Sequence, residues 1–231
     1  MRRAVLKWSG VTAGGVILLL AGVLMITPLG LLFFYPAQAA HIPSFVLPAG
    51  ALALLGALLW RGFRPALDLT LSVQEGGIIV LVGWVVVILF SAWPFADVLG
   101  IPFSRALFEA MSGWTTTGLS VVDVTRAGPL ILFWRSLTQL AGGAGLAVIM
   151  MSAIVGPAGV GISSAEGRSD QLLPQVRQSA RLVMLIYGGY AACCALAFAL
   201  AGMTPFDAVN HAFTAVSTGG FSTRPGSLGD W

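Results

Sequence analysis

The sequence has little charge for its length, and this shortage excludes an ordinary soluble protein. Only 9% of its 231 residues are charged, while 57% are hydrophobic. A soluble domain of this size covers its surface with more charge, whereas a chain solvated largely by lipid has no need to. The composition therefore indicates an integral membrane protein.

Other shortages exclude further classes. The only two cysteines, Cys193 and Cys194, are adjacent within an apolar run, where disulfide geometry is strained and metal-ligand spacing is absent. Basic residues occur singly or in small groups and the net charge is only +3, so nucleic acid is not an expected partner. The sequence shows no catalytic constellation and no phosphate-binding loop, so neither an enzyme nor a cofactor is expected.

Long apolar runs predict five membrane-spanning helices. The hydrocarbon core is about 30 Å thick, so a helix needs roughly 20 apolar residues to cross it. The first run lacks a clear cleavage site and is too long for a secretory signal, so it is predicted to be a transmembrane helix. The five runs are Gly10 to Phe34, Pro43 to Trp60, Gly76 to Phe95, Leu130 to Val155, and Leu182 to Met203.

The basic residues predict the orientation of these spans. Eight of the 12 fall on one side of the membrane, namely Arg2, Arg3, Lys7, Arg61, Arg64, Arg168, Arg177 and Arg181. Because basic residues favour the cytoplasmic side, the amino terminus is expected to be cytoplasmic. The other four, Arg105, Arg126, Arg135 and Arg224, are expected outside or at the outer end of a span.

Two polar segments too short to cross a bilayer align without a gap at an offset of 102 residues. Each follows a full span, begins with a helical pattern and ends in Thr, Ser and Gly. The unit is thus a span, a short helix, a turn and a second span, and internal repeats are common in transport proteins. The identical pairs are Ala110 with Ala212, Thr116 with Thr218, Gly118 with Gly220, and Ser120 with Ser222.

The short helices carry recognisable start signals. Thr204 is the predicted N-cap of the second one, with Pro205 in the first turn, where no N–H donor is needed, and Asp207 three residues after the cap. Ser104 is the predicted cap of the first.

The turns after these helices suit a monovalent cation. A potassium ion that leaves water needs fixed oxygens in place of its hydration shell, and backbone carbonyls supply them. Gly118, Gly219 and Gly220 are expected to adopt the unusual dihedral angles that aim carbonyls inward, with potassium at Thr116, Thr117, Thr218 and Gly219. The predicted selectivity filter comprises Thr115, Thr116, Thr117, Gly118, Ser217, Thr218, Gly219 and Gly220.

Several stretches resemble the Trk/Ktr/HKT superfamily of potassium transporters, most closely the bacterial Trk membrane (pore-forming) subunit. They are Glu75-Gly-Gly, Ala92-Trp-Pro-Phe95, Phe108 to Gly118, Phe133 to Gly145, and Ser217 to Thr223. The resemblance implies potassium uptake across the bacterial inner membrane, four repeats around one pore, a homodimer, and a cytosolic nucleotide-binding regulatory subunit.

The expected fold is an all-α integral membrane protein with two leading transmembrane helices followed by pore repeats, the second incomplete. The chain is interpreted as an amino-terminal portion. Two alternatives stay open: a nonconducting fragment that needs the missing repeats, and a sodium or mixed-cation transporter. The predicted divisions are 1–72, the first repeat 73–160 (pore helix 104–114, filter 115–120), the cytoplasmic loop 161–180, and the second repeat 181–231 (pore helix 205–216, filter 217–222).

Five residues are predicted to support the pore. Arg135 is expected to pair with Glu109 or Asp123 and so to hold the first short helix. Gly142, Gly143 and Gly145 lie within the fourth span, where they permit either close helix packing or a bend near the pore.

Overall fold

A computed structural model describes residues 2–62, 73–145 and 172–231, and within these ranges the chain contains helices and no strand. The all-helical prediction is confirmed. In chain order the α-helices are α1 (Arg2–Ile26), α2 (Ile42–Gly62), α3 (Val73–Leu99), α4 (Phe103–Trp114), α5 (129–145), α6 (Leu172–Leu200) and α7 (Pro205–Val216). Short 3-10 helices cover Thr27–Phe33, Pro36–His41 and Ser227–Asp230.

Four helical stretches in the described ranges are long and apolar enough to cross a membrane. They are Gly14–Phe33, Pro36–Arg61, Gly77–Leu99 and Arg181–Leu200. Large apolar side chains such as Leu20, Leu81 and Leu185 remain exposed along them, as expected for helix faces that contact lipid. The fourth predicted span, Leu130 to Val155, is described only as far as residue 145, as part of α5.

Two α-helix ends fall inside predicted segments. The first predicted span agrees with the apolar stretch Gly14–Phe33, but within it α1 ends at Ile26 and a 3-10 helix follows, because Pro28 has no N–H to continue the α-helical hydrogen bonds. In the predicted loop 161–180, α6 already begins at Leu172. Leu, Gln and Arg between 172 and 181 are good helix formers and extend the helix beyond its apolar part. Residues 161–171 of that loop lie outside the described ranges.

The chain divides into two compact units, of which the first comprises Met1–Met111 and Arg126–Trp134. Helices α1 and α2 pack closely there. A Cβ added to Gly15 would lie 2.7 Å from the carbonyl oxygen of Gly56, and one added to Gly56 would lie 2.6 Å from that of Gly15. The paired glycines therefore let the two backbones touch, as small residues do in membrane helix pairs.

Two polar links tie the core of this unit together. Phe45 packs edge to face on Trp134 at a centroid distance of 6.3 Å, and the Trp134 indole N–H donates to the carbonyl of Ser91 at 3.3 Å. The hydroxyl of Ser44 donates to Oδ2 of Asp97 at 2.5 Å. The indole N–H of Trp134 and the hydroxyl of Ser44 thus have partners, as burial in an apolar surrounding requires.

The second unit comprises Ser112–Thr125 and Arg135–Trp231. Its core surrounds α7, where Ala208 and Ala212 are buried, and Phe198 of α6 packs edge to face on His211 at 6.4 Å. The Ser136 hydroxyl donates to Oδ1 of Asn210 at 2.5 Å, which fixes α5 against α7. All of the predicted filter residues lie in this unit.

Candidate functional site

The ends of the two short helices have the same hydrogen bonds. After α4, the N–H of Thr116 donates to Gly113 O at 3.1 Å and that of Thr117 donates to Ser112 O at 2.9 Å. After α7, Thr218 N–H donates to Ala215 O at 3.0 Å and Gly219 N–H to Thr214 O at 2.7 Å. Both pairs of bonds form a Schellman motif, and every partner in one copy lies 102 residues from its counterpart in the other.

The backbone dihedral angles also correspond. Thr116 and Thr218 have φ of 54° and 55°, and Gly118 and Gly220 have φ of 79° and 82°. Positive φ is rare for a β-branched residue and costs about 1–3 kcal/mol, so it persists only where the surrounding structure enforces it. Here the Schellman motif places each threonine at the position that requires the left-handed conformation.

The expectation that Gly219 adopts an unusual dihedral angle is wrong, because the positive φ falls on Thr218 and Gly220 on either side of it. Gly219 is needed for space instead. A Cβ at Gly219 would overlap the side-chain amide of Gln139.

The hydrogen bonds determine where the carbonyls of these turns point. In a planar trans peptide the C=O of one residue is antiparallel to the N–H of the next. Because the N–H groups of Thr116 and Thr117 point back to α4, the carbonyls of Thr115 and Thr116 point beyond the helix end. In the second copy the N–H groups of Thr218 and Gly219 point back to α7. The carbonyls of Ser217 and Thr218 therefore point beyond the end of that helix.

The two turns lie side by side. A Cβ added to Gly118 would overlap the carbonyl oxygen of Gly219, so this glycine permits direct backbone contact between the two segments. Thr115, Thr117, Thr218 and Gly220 are exposed, Thr116 and Gly118 are half-buried, and Ser217 and Gly219 are buried. The eight predicted filter residues therefore come together in one unit of the structure.

Helix α5 lies against the ends of both short helices. A Cβ at Gly142 would overlap the carbonyl oxygen of Trp114, and a Cβ at Gly143 would lie 2.9 Å from Cβ of Ser217. Close packing is thus the reason for glycine at these two positions. At Gly145 an added Cβ meets no atom of the described residues within 4 Å, so the packing explanation does not extend to it.

Arg135 bridges the two segments at equivalent positions. Its Nη1 donates to the carbonyl of Ser222 at 2.8 Å and its Nη2 to the hydroxyl of Ser120 at 2.9 Å. Its guanidinium also lies 4.2 Å from the ring centroid of Phe221. These contacts were not foreseen, and pairing of Arg135 with Glu109 or Asp123 stays a prediction. Glu109 is fully buried in the first unit.

The residues that follow the second filter segment also contact the start of α7. Thr204 caps this helix as predicted: its Oγ1 accepts the N–H of Asp207 at 3.2 Å and donates to Oδ2 of the same residue at 2.7 Å. Thr223 donates to Oδ1 of Asp207 at 2.6 Å, and Arg224 lies 3.4 Å from Oδ2. For α4 the predicted cap is wrong, because the helix begins at Phe103 and Ser104 lies within its first turn.

Replacing Thr204 by alanine is expected to destabilise the protein by about 1 kcal/mol, the usual cost of a lost N-cap. Burial raises the pKa of Asp207, but hydrogen bonds from Thr223 and Thr204 and the charge of Arg224 outweigh it and hold that pKa below its ordinary value. The stabilisation is therefore present at neutral pH and is lost as the pH falls through the lowered pKa. Thermal unfolding in detergent at pH 7 measures it. The Thr204→Ser variant, which retains the cap, is the control, and equal midpoints for the two variants would contradict the assignment.

An open cavity of about 330 Å³ adjoins both segments. Gly118 and Gly220 line it, together with the charged residues Asp123, Arg135 and Arg224. In the described ranges no group of three or more His, Cys, Asp or Glu side chains is placed to hold a metal ion. The predicted filter contributes Gly118 and Gly220 to the lining of this cavity, which also contains the carboxylate of Asp123.

The long apolar helices define the chain as an integral membrane protein. Comparison of its sequence with known families matches residues 41–231 to the family described as "TrkH: Cation transport protein". The chain belongs to this family, so the superfamily resemblance seen in the motifs is confirmed. Membership of a transport family also confirms that the chain is not an enzyme.

Curated relatives carry the same family name. The chain is 34% identical over 224 residues to the "Trk system potassium uptake protein TrkH" of Vibrio parahaemolyticus and 33% identical over 226 residues to that of Escherichia coli. These alignments cover 93% and 94% of this chain and 46% of each relative. The chain thus spans about half the length of the curated relatives it matches.

A solved structure has the same fold. The crystal structure of the potassium transporter TrkH from Vibrio parahaemolyticus superposes with a TM-score of 0.82 at 33% sequence identity, covering 97% of this chain and 46% of that one. The chain therefore has a fold similar to that of this TrkH structure.

Proposed function

We propose that this chain contributes to potassium uptake across the bacterial cytoplasmic membrane through a selective pore. The observation that carries the proposal is the paired geometry at Thr116 and Thr218. Each ends a 12-residue helix in the same Schellman motif, with positive φ and with carbonyls directed beyond the helix end. The names of the relatives, which are potassium uptake proteins, support potassium as the ion.

This arrangement attracts a cation without an ionised ligand. The carboxyl end of a helix carries roughly half a negative charge, and both short helices end where the two segments meet. Carbonyl oxygens then replace water around the ion, and irregular backbone at membrane depth is tolerated because it lines a water-filled path. Potassium is proposed to bind the oxygens of the predicted filter, centred on Thr116, Thr117, Thr218 and Gly219.

Arg135, Gly142 and Gly143 are proposed to support this filter through the contacts of α5. Glu109 remains a candidate for the same role, whereas Gly145, predicted for it from the sequence, makes no contact among the described residues that supports it. The repeat boundaries, with segments 115–120 and 217–222 re-entering the membrane from outside, belong to the proposal. So does a cytoplasmic amino terminus, which the distribution of basic residues supports. A homodimer and a cytosolic nucleotide-binding regulatory subunit are proposed from family resemblance alone.

Sodium or mixed conduction is the second candidate. The residue before the positive-φ glycine differs between the copies, Thr117 before Gly118 but Gly219 before Gly220. The two segments therefore do not present identical side chains to the ion, and the ratio of potassium to sodium uptake has to be measured.

The test uses the whole reading frame that carries this chain, expressed in a bacterium deficient in potassium uptake. We expect growth at low external potassium and uptake of ⁸⁶Rb⁺, with little ²²Na⁺ uptake. Equal uptake of the two ions would favour mixed conduction. Absence of both, with the protein present in the membrane, would contradict the proposed function and leave the nonconducting alternative.

A further inference from the structure

One turn of α5 holds the backbone that follows the second filter glycine. Arg135 and Gln139 are four residues apart and so lie on one helix face. Arg135 donates to the Ser222 carbonyl, and Oε1 of Gln139 accepts the N–H of Phe221 at 3.1 Å. Gln139 has no solvent exposure. This helix face therefore fixes two consecutive residues of a segment that is 82 residues away in sequence.

The hydrogen bond settles the orientation of the Gln139 amide. Because the Phe221 N–H is a donor, the atom that faces it must be the amide oxygen. Nε2 then lies on the other side of the amide and has no hydrogen-bond partner in the described part of the chain. Gly219 lies directly against this amide, since an added Cβ would overlap it. The side chain is thus enclosed between Gly219 and the N–H of Phe221.

Burying an amide donor without a partner is unfavourable, and an apolar side chain of similar length would avoid that cost. The presence of glutamine at position 139 is therefore explained by the hydrogen bond that its amide oxygen accepts. Without that oxygen the buried N–H of Phe221 loses the acceptor that the structure gives it.

The same bond orients a carbonyl of the proposed filter. The N–H of Phe221 and the C=O of Gly220 belong to one planar peptide and point in opposite directions. With the N–H directed at Gln139, the Gly220 carbonyl is directed away from α5. Rotation of this peptide would turn that carbonyl toward the helix, and the bond to Gln139 opposes the rotation.

We propose that Gln139 is a positioning residue that determines cation selectivity: by holding the Gly220–Phe221 peptide and backing Gly219, it fixes the direction of the filter carbonyls. The proposal rests on the proposed function. Selectivity among monovalent cations depends on the number and placement of coordinating carbonyls. A filter whose carbonyls rotate freely adapts to the smaller sodium ion, so loss of the bond lowers discrimination.

The test compares variants of Gln139 in the full reading frame. Gln139→Met keeps the length but removes the acceptor, and Gln139→Asn keeps the amide but withdraws it from Phe221. For each we expect the ratio of ⁸⁶Rb⁺ to ²²Na⁺ uptake to fall about tenfold, the change that loss of one hydrogen bond typically produces. Gln139→Glu retains an acceptor oxygen at the same place and is expected to stay within about twofold of the wild-type ratio.

A matched control is available in the first unit. Gln38 also has a buried side-chain oxygen, and Gln38→Met makes the same substitution at a residue outside the two predicted filter segments. It is expected to leave the uptake ratio unchanged. Because the ratio does not depend on the amount of protein in the membrane, a role confined to folding would not change it.

The outcomes separate this proposal from the function on which it rests. Potassium uptake by the wild type with an unchanged ratio in Gln139→Met and Gln139→Asn would overturn the positioning role and leave the proposed function intact. A loss in Gln139→Glu as large as in Gln139→Met would overturn the assignment to the acceptor oxygen. A wild type that transports neither ion would overturn the function itself, and this proposal with it.

Discussion

Substituting alanine for Gly118 is expected to lower potassium uptake at least about 100-fold, a loss of roughly 2.7 kcal/mol. Two physical effects combine at this position. Its φ of +79° strains any other residue, and the added Cβ would overlap the carbonyl oxygen of Gly219 in the neighbouring segment. The two proposed filter segments must separate to accommodate it. Initial rates of ⁸⁶Rb⁺ uptake, normalised to the amount of protein in the membrane, measure the loss.

Gly100 provides the matched control for backbone strain. Its φ is +63°, but an added Cβ would meet no atom of the described residues within 4 Å. Gly100→Ala therefore carries strain without steric overlap, and it is expected to retain uptake. Equal uptake by Gly118→Ala and wild type would show that the contact between Gly118 and Gly219 is not required for conduction.

Gly142→Ala is expected to produce the second large loss, because its Cβ would overlap the carbonyl oxygen of Trp114 at the end of α4. The obstructing atom belongs to the backbone, so α5 or the helix end must move. Overpacking of this kind costs about 1–3 kcal/mol. We expect a lower thermal unfolding midpoint in detergent and at least a tenfold lower uptake, since one factor of ten corresponds to about 1.4 kcal/mol.

Gly145 in the same helix is the control for this prediction. With no described atom within 4 Å of an added Cβ, Gly145→Ala gains helix propensity, worth about 1 kcal/mol, without a clash. Its uptake and its unfolding midpoint should equal or exceed those of the wild type. If the two alanine variants behaved alike, the glycines would be interchangeable and the packing argument would fail.

Local signals in the sequence predicted part of this structure well. Thr204, Pro205 and Asp207 mark a helix start because the cap, the missing donor and the carboxylate all act within one turn, and the structure has this cap. Long apolar runs likewise located the four spans that the described residues contain, since their length is fixed by the thickness of the bilayer. The ends of the α-helices did not follow from the apolar runs: Pro28 ends α1 before the span does, and good helix formers extend α6 toward the amino terminus.

The dihedral angles of the candidate site were harder to predict. Intrinsic preference assigns positive φ to glycine, so Gly219 was expected to carry it, whereas the structure gives it to Thr218. The hydrogen bonds of the helix end overrule the preference of the side chain. The same happens in both copies, since Thr116 and Thr218 both adopt positive φ at the end of a short helix.

Contacts between residues far apart in the sequence could not be predicted from it. Gln139 and Phe221 are 82 residues apart, and Arg135 reaches Ser222 across 87 residues. A four-residue spacing puts Arg135 and Gln139 on one helix face but does not say what that face touches. Only the folded structure shows that it holds the segment after Gly220.

The central claim is that main-chain oxygens of two paired segments bind a dehydrated monovalent cation. Anomalous scattering from a crystal of the full transporter soaked in Rb⁺ tests it most directly. We predict a Rb⁺ peak coordinated by carbonyl oxygens from both 115–118 and 217–220, absent when Na⁺ replaces Rb⁺. Bound Rb⁺ elsewhere in the protein, with neither segment contributing an oxygen, would contradict the claim.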